Sequence, residues 1–460
     1  MISTQDFIVG LDIGTTKICV LVGRKNEHGK IEIVGEGKAD SLGVMRGVVA
    51  NIDKTVDAIK KAVKEAEDSS GVEIKYVYVG IAGQHIRSMQ HRGQMMRGYS
   101  ETEITEADVK QMIVDMRRLA VPAGDRIIDV LPQEFIVDNE TGITEPIGMC
   151  GAKLEADFHI ITGQVSAIQN IRKCVEKAGL ELVEMFLEPH ASSAAVLSDE
   201  EKEAGVALID IGGGTSDIAI FHNEIIRHTA VVPFGGNIIT EDIKEGCQVM
   251  RAHAELLKVR FGSALEQETQ ENQVVSIPGL RGREPREISV RNLSRIIQAR
   301  MEEVIEMLDA EILSSTFKHK LIGGVVLTGG GSYLKHLVQL VQFKTGMDAR
   351  IGLPTEHLAP VKIDKLKHPM YSTCVGLILK GIEDFEMKEK EQMADLAKRK
   401  AALLTQQPQV KEEVEVAKEE ENEEQPVENK KERKSIFNGI WKGIKDTFAD
   451  DIDEEFTTKN

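Results

Sequence analysis

Residues 9–18 read Val-Gly-Leu-Asp-Ile-Gly-Thr-Thr-Lys-Ile, and residues 208–218 repeat the pattern as Leu-Ile-Asp-Ile-Gly-Gly-Gly-Thr-Ser-Asp-Ile. In each copy an apolar run delivers an aspartate at the end of a strand. Small and hydroxyl residues follow, and then a second apolar run. Glycine lets a backbone come close to a ligand, successive amides form an anion nest, and threonine hydroxyls add donors. The spacing therefore predicts two β-hairpins whose turns wrap phosphate, with Gly14, Thr15, Thr16 and Lys17 in the first and Gly212, Gly213, Gly214 and Thr215 in the second. Asp12 and Asp210 would face each other across the phosphates, where a magnesium ion with its water shell takes carboxylates. One Asp-x-Gly turn is common. Two of them, about 200 residues apart, predict a duplicated α/β fold clamping one nucleotide.

A chain of 460 residues is too long for one core. The net charge of −18 argues against bulk binding of nucleic acid. Five cysteines (Cys19, Cys150, Cys174, Cys247, Cys374) without a Cys-x-x-Cys pair suggest reduced thiols, not a disulfide framework or a zinc site. No signal peptide and no apolar run of membrane-spanning length is evident.

Strands are expected at Phe7–Asp12, Ile18–Gly23 and Ile31–Gly37, a helix at Lys54–Glu67 and a strand at Lys75–Ala82. The texture changes between 84 and 162. Thr105 starts a helix from Glu106 to Leu119, and short strands at Arg126–Pro132, Gln133–Asp138 and Phe158–Thr162 surround it. Helices at 164–180 and Pro189–Leu197 flank a strand at Leu182–Leu187, and 236–316 is mostly helical with a strand near Val274–Ile277. A third glycine turn, made of Gly329, Gly330 and Gly331, ends the buried run before it. Alone it is an ordinary loop, whereas behind two phosphate hairpins it fits the adenosine-contacting turn of the actin, Hsp70 and hexokinase superfamily. Its bare backbone would then lie flat against ribose or adenine. Glu255 and Lys258, three apart on one helix face, would flank ribose and base, and Gly236 joins them as a cofactor contact. The alternative for that pair is a surface ion pair. In actin-like folds the attacking water is oriented from the helix that leads to the second hairpin. Of Gln164 and Gln169 there, Gln169, ten residues before Gly179, has the spacing closer to the actin pattern. A neutral glutamine is a poor base, so turnover would be slow.

The chain resembles the bacterial cell-division FtsA family of actin-like ATPases. The motifs are Ile-Ala-Gly-Gln-His-Ile at 81–86, Val-Leu-Pro-Gln-Glu-Phe-Ile-Val-Asp at 130–138 and Gly-Ile-Thr-Glu-Pro-Ile-Gly-Met-Cys-Gly-Ala-Lys-Leu-Glu at 142–155. Pro-Arg-Glu-Ile-Ser at 285–289, Ala-Arg-Ile-Gly-Leu-Pro at 349–354 and Pro-Met-Tyr-Ser-Thr-Cys-Val-Gly-Leu at 369–377 extend the match. The resemblance implies an actin-like duplicated two-domain fold with an inserted α+β module. Subdomain 1A would span 1–83 and 163–204, the insert 1C 84–162, 2A 205–237 and 318–385, and 2B 238–317. It also implies ATP and Mg2+, weak ATPase activity, self-assembly into filaments and recruitment of later division proteins through 1C. Binding of the C-terminal peptide of the tubulin-like FtsZ through 2B is implied too. Arg295 and Arg300 are candidates for that acidic peptide, though solvated helix faces explain them as well.

The tail has its own logic. Residues 411–428 hold nine glutamates against two lysines, so 386–434 is expected to be a disordered acidic linker. Residues 435–449 then place Ile436, Phe437, Ile440, Trp441, Ile444 and Phe448 on one helical arc, with Lys442 and Lys445 outside it. An amphipathic helix with aromatic anchors is built to lie in a bilayer interface, here the inner face of the cytoplasmic membrane at the division site. Rival readings are an FtsA-like pilus-assembly protein, another actin-superfamily ATPase, or a small-metabolite kinase. An Hsp70-type chaperone would need a peptide-binding domain for which too little chain remains.

Overall fold

The computed structural model describes residues 7–98, 102–279, 284–359 and 364–405. β1 (Ile8–Ile13) and β2 (Lys17–Lys25) form the first expected hairpin, in register from Ile8↔Gly23 to Ile13↔Ile18. β3 (Ile31–Asp40) extends it antiparallel. β1 is buried along nearly its whole length, as an unbroken apolar run should be when both faces of its sheet are covered. A two-residue hairpin, β4 (Val44–Met45) with β5 (Val48–Val49), follows. Helix α1 (Ile52–Ser70) starts two residues earlier than expected, because the Asn51 side chain accepts from the Lys54 amide and caps it. Its buried face (Ile59, Ala62, Ala66) covers the sheet. β6 (Tyr76–Ile81) then pairs parallel to β1.

The chain next builds a separate four-stranded sheet. β7 (Ile86–Met96), α2 (Glu106–Arg117), β8 (Asp125–Val137), β9 (Glu140–Ile143) and β10 (Lys153–Gln164) give the order β7-β10-β8-β9. Met112 of α2 packs with Phe135, Leu154, Phe158 and Ile160 in its core. Thr105 caps α2 in a reciprocal box with Asp108. Three strand expectations change here. β7 carries no strong apolar alternation and is a strand because β10 pairs with it from Met96 to Ile86. The two short strands expected at 126–138 are one, since a register shift opposite Ala156 and Phe158 absorbs Pro132, which has no N–H to donate. β10 is longer at both ends than the expected Phe158–Thr162.

α3 (Val165–Lys177) and β11 (Glu181–Leu187) close the first sheet in the order β11-β6-β1-β2-β3. Helices α4 (Glu188–Val196) and α5 (Asp199–Ala204) lead to β12 (Val206–Ile211), β13 (Ser216–His222) and β14 (Ile225–Val232). α6 (Gly236–Cys247), α7 (Arg251–Phe261), a small ribbon of β15 (Val274–Ile277) with β16 (Arg286–Ser289), and α8 (Val290–Ser314) come next. β17 (Val325–Thr328), α9 (Leu337–Thr345) and β18 (Ala349–Ile351) complete the second sheet, ordered β14-β13-β12-β17-β18. Both five-stranded sheets are thus an antiparallel three-strand meander with two parallel strands added beside its first strand. The duplication seen in the two hairpin sequences extends to whole sheets.

α10 (Ser372–Thr405) begins between the sheets and continues past Ile382 as a second compact unit. Its first turns meet both lobes: Cys374 Sγ donates to the Gly10 carbonyl, and Thr328 Oγ1 donates to Ser372 Oγ. α10 crosses α4 backbone to backbone, and a Cβ on Gly376 would stand 1.8 Å from the Ala191 carbonyl oxygen. The inserted sheet holds the free edge of β14, with Gln133 Nε2 donating to the Ile226 carbonyl at 2.9 Å and Ser88 Oγ to the Thr229 carbonyl at 2.9 Å. Among the described residues no helix is long and apolar enough to cross a membrane. The first part of the linker expected at 386–434 is helical, as the end of α10 through Thr405, while its remainder and the amphipathic segment at 435–449 lie outside the described residues.

Gly376→Ala should force α4 and α10 apart and cost about 1–3 kcal/mol, the usual penalty for overpacking. A thermal midpoint equal to that of the unsubstituted chain would show that the crossing tolerates a side chain.

Candidate nucleotide site

The register of β1–β2 leaves residues 14–17 beyond its last pair, and that of β12–β13 leaves 212–215. The two turns meet. A Cβ on Gly213 would lie 1.8 Å from Thr16 Oγ1, and one on Gly214 would lie 2.6 Å from Thr15 Oγ1. Bare backbone is therefore a packing requirement at the second turn. Its conformation is held from behind, where the Gly236 and Asn237 amides donate to the Gly212 and Gly213 carbonyls at 2.9 and 2.8 Å.

The third glycine turn completes the enclosure, and its three residues differ in what they require. Gly329 has φ +81°, and a Cβ there would stand 2.2 Å from Asp210 Oδ1. Gly331 abuts Ile211, whose Cγ2 would be 2.5 Å from an added Cβ. Both therefore lie against the end of β12. Gly330 does not share this need. It opens a short 3-10 turn (Gly330–Tyr333), and a Cβ on it would meet only Met370 Cβ, at 4.0 Å. Packing thus requires bare backbone at Gly329 and Gly331 and leaves open space beside Gly330.

Asp12 and Asp210 are both buried, at 6% and 9% exposure, at the ends of matching strands. Lys17 Nζ lies 3.4 Å from Asp12 Oδ2 and donates to the Met370 carbonyl, so the first turn is tied to the loop before α10. Asp210 Oδ2 accepts from Ser192 Oγ of α4 at 2.8 Å. Two further acids crowd the same space. Asp217 is 4% exposed, takes one hydrogen bond from Thr215 Oγ1, and leaves its Oδ1 without a partner. Glu188, the first residue of α4, is half-buried against Gly80. Burial, reinforced by the charge of Asp12, pushes the Asp210 carboxyl up to about 6. Burial together with Asp210 pushes Asp217 up to about 8. Desolvation and the charges of Asp12, Asp217 and Asp210 hold Glu188 well above the carboxylate range.

Acids so placed, with Lys17 as the cation among them, fit a further positive charge. Among the described residues no three His, Cys, Asp or Glu side chains converge as a direct metal cage. The donor set suits an ion that keeps its waters and takes its remaining oxygens from phosphate.

Glu255 and Lys258 of α7 also come to this place. Lys258 Nζ bonds the Gly236 carbonyl at 2.8 Å, Thr240 Oγ1 at 2.8 Å and Glu255 Oε2 at 2.8 Å. Their pair is a partly buried brace behind Gly236, with Lys258 only 14% exposed.

The structure does not bring Gln169 to the site. Its side chain is exposed on α3, whose opposite face (Ala167, Ile168, Ile171) is buried in the first lobe. The helix that runs from the first sheet toward the second hairpin is α4, and the side chain it delivers among the carboxylates is Glu188. Sequence reasoning missed it because Leu-Glu-Pro reads as a plain helix start with Pro in its first turn. The signal was its position at the end of β11, a strand parallel to β6 and β1. Arg295 and Arg300 are both engaged, with Glu266 and Asp242 respectively.

Nucleotide-free protein should lose stability with rising pH. Asp217 has a folded value near 8 against 3.8 for the free side chain, so the folded state holds its proton more tightly and the penalty grows as pH rises between those values. From pH 6.5 to 8, Asp217 alone should lower stability by up to about 2 kcal/mol. Asp217→Asn should flatten that dependence in thermal scans.

Comparisons with known proteins agree with this architecture. The family model described as "Cell division protein FtsA" matches residues 207–376, and that of the "SHS2 domain inserted in FTSA" matches 83–162. The cell division protein FtsA of Pseudomonas aeruginosa is 39% identical, over 83% of this chain and 91% of that one. That of Neisseria meningitidis is 40% identical over 81% and 90%, and that of Escherichia coli K12 is 34% identical over 85% and 94%. Among solved structures, a chain of the PilM–PilN type IV pilus biogenesis complex superposes with a TM-score of 0.58. At 16% identity, covering 82% of this chain and 98% of that one, it shows the shared fold. Twin hairpins on duplicated sheets, an inserted module at 83–162 and these relatives lead to one assignment: the chain has an actin-like fold and belongs to the FtsA family of cell division proteins.

Proposed function

We propose that this chain binds ATP with Mg2+ between its two hairpin turns and uses the nucleotide to control its own assembly at the membrane. The observation that carries the reading is the contact between the two turns, with Asp12, Asp210, the glycines of 212–214, and Gly329 and Gly331 around one space. Asp12 and Asp210 would hold the ion through its waters, and the bound ion would neutralise charge developing on the phosphates. The amides and hydroxyls of Gly14, Thr15, Thr16 and Gly212–Thr215 would bind the phosphates, and Lys17 would join them on leaving Met370. Gly236, Glu255 and Lys258 would take the adenosine end together with Gly329, Gly330 and Gly331. At Gly330 the room beside the backbone would be filled by the nucleotide itself. Glu188 is the group placed to orient the attacking water, and with the bound cation offsetting the charges of Asp12, Asp217 and Asp210 its ionised carboxylate would take the water's proton. Slow hydrolysis would then time disassembly.

Filaments of the chain would link the C-terminal peptide of FtsZ, taken by residues 238–317, to the inner face of the cytoplasmic membrane at the division site. The inserted module at 84–162 would receive later division proteins. Membership in the FtsA family supports these partners. Ile436, Phe437, Ile440, Trp441, Ile444 and Phe448 would enter the headgroup region. A helix this short binds weakly as one copy and strongly as many, so assembly would set membrane residence.

Asp12→Ala and Asp210→Ala should each abolish measurable binding of Mg-ATP in calorimetry; undiminished affinity in both would refute the clamp. Glu188→Gln should keep ATP binding and lower hydrolysis on the order of 100-fold, whereas Gln169→Ala should leave the rate unchanged. Trp441→Glu should remove ATP-dependent co-sedimentation with anionic liposomes, and retained co-sedimentation would remove the anchor from the reading.

A further inference from the structure

The hairpin β4–β5 turns through Arg46 and Gly47, both with positive φ, at +49° and +75°. Two such residues between paired strands are the pattern of a type I′ turn, which favours Asn, Asp or Gly at its first position. Arginine there holds its backbone in the left-handed region at a cost. Among the described residues the side chain sets one cation–π contact, to Phe234, against that cost. Among the described residues Arg46 has no hydrogen bond and no ion pair; its guanidinium rests 6.0 Å from the Phe234 ring centroid.

The tip of this hairpin is fastened to the nucleotide turns. The Gly47 amide donates to Thr15 Oγ1 at 3.1 Å. A Cβ on Gly214 would stand 3.0 Å from the Arg46 Cα. A Cβ on Gly47 would meet the Ala82 carbonyl at 2.6 Å, so the tip lies against the residue that follows β6 with no room there for a side chain. Arg46 is therefore the residue whose main chain packs on the second turn while its neighbour bonds the first. The other cations nearby are engaged: Lys17 with Asp12 and Met370, Lys258 with Glu255 and Gly236. Phe234, on which the guanidinium rests, lies just before the Gly235–Gly236 segment that backs the second turn.

We infer that Arg46 is a phosphate-contacting residue supplied in cis, which leaves Phe234 to bond the outermost phosphate of a nucleoside triphosphate held between the two turns. A planar guanidinium with several donors suits the non-bridging oxygens of a terminal phosphate. It also gives the site a means of telling triphosphate from diphosphate, since a group at the mouth between the turns bonds the phosphate that hydrolysis removes. This rests on the proposed nucleotide site and adds the residue that reads phosphate number.

The test compares equilibrium affinities for fluorescent ATP and ADP analogues with Mg2+, on the full chain at concentrations below assembly. Arg46→Ala should weaken triphosphate binding on the order of tenfold and leave diphosphate binding unchanged. Arg46→Gly should show the same selective loss while its thermal midpoint is equal or higher, because glycine relieves the left-handed strain; that separates the effect from misfolding. Arg46→Lys should recover part of the preference. A triphosphate-to-diphosphate preference equal to that of the unsubstituted chain in both Ala and Gly variants overturns the assignment, as does an equal loss for both nucleotides. Failure of the unsubstituted chain to bind either nucleotide would overturn it together with the nucleotide site itself.

Discussion

Burial of like charge at the meeting of two turns governs the rest of this structure. Asp12, Asp210 and Asp217 are nearly sealed from solvent, Glu188 presses on them, and Lys17 is the cation among them. Such burial costs stability unless the charges are paired or the protons retained. Burial makes Asp217 and Glu188 hold a proton more tightly than free carboxyls do and leaves Asp217 Oδ1 without a partner. In the proposed clamp the magnesium ion that accompanies the nucleotide would offset this charge.

Several contacts tie the elements around the acids together. Ser192 on α4 bonds Asp210, Lys17 on β2 reaches the loop before α10, and α4 and α10 cross at Gly376 and Ala191 with no side chain between them. The inserted sheet grips the edge of β14 through side chains that bond its carbonyls. That arrangement satisfies an exposed strand edge and joins the module to the second sheet.

Much of this was legible in the residues. The paired Asp-Ile-Gly phrases announced hairpins, carboxylates and duplication, because close backbone approach and strand ends leave local marks in glycine and β-branched residues. Gly329 was singled out for the same local reason, and Lys258 for its place three residues after Glu255 on one helix face. Gly330 shows the limit of that argument, since a glycine between two crowded ones carries the same mark without the crowding. Glu188 was not found, because its role depends on β11 ending beside β6 and on α4 turning between lobes, and neither is written in Leu-Glu-Pro. β7 was missed because its polar faces carry no alternation and β10 alone makes it a strand. Arg46 carried no mark at all: its interest arises from a backbone dihedral and from the turns packed around it.

Hydrogen exchange on the intact chain, with and without Mg-ATP, reads the clamp at its backbone. One nucleotide held between both lobes predicts that amides of residues 13–17, 211–215 and 328–332 gain protection together and with the same dependence on nucleotide concentration. Protection confined to one of the two hairpins, or unchanged at all three segments, would contradict it.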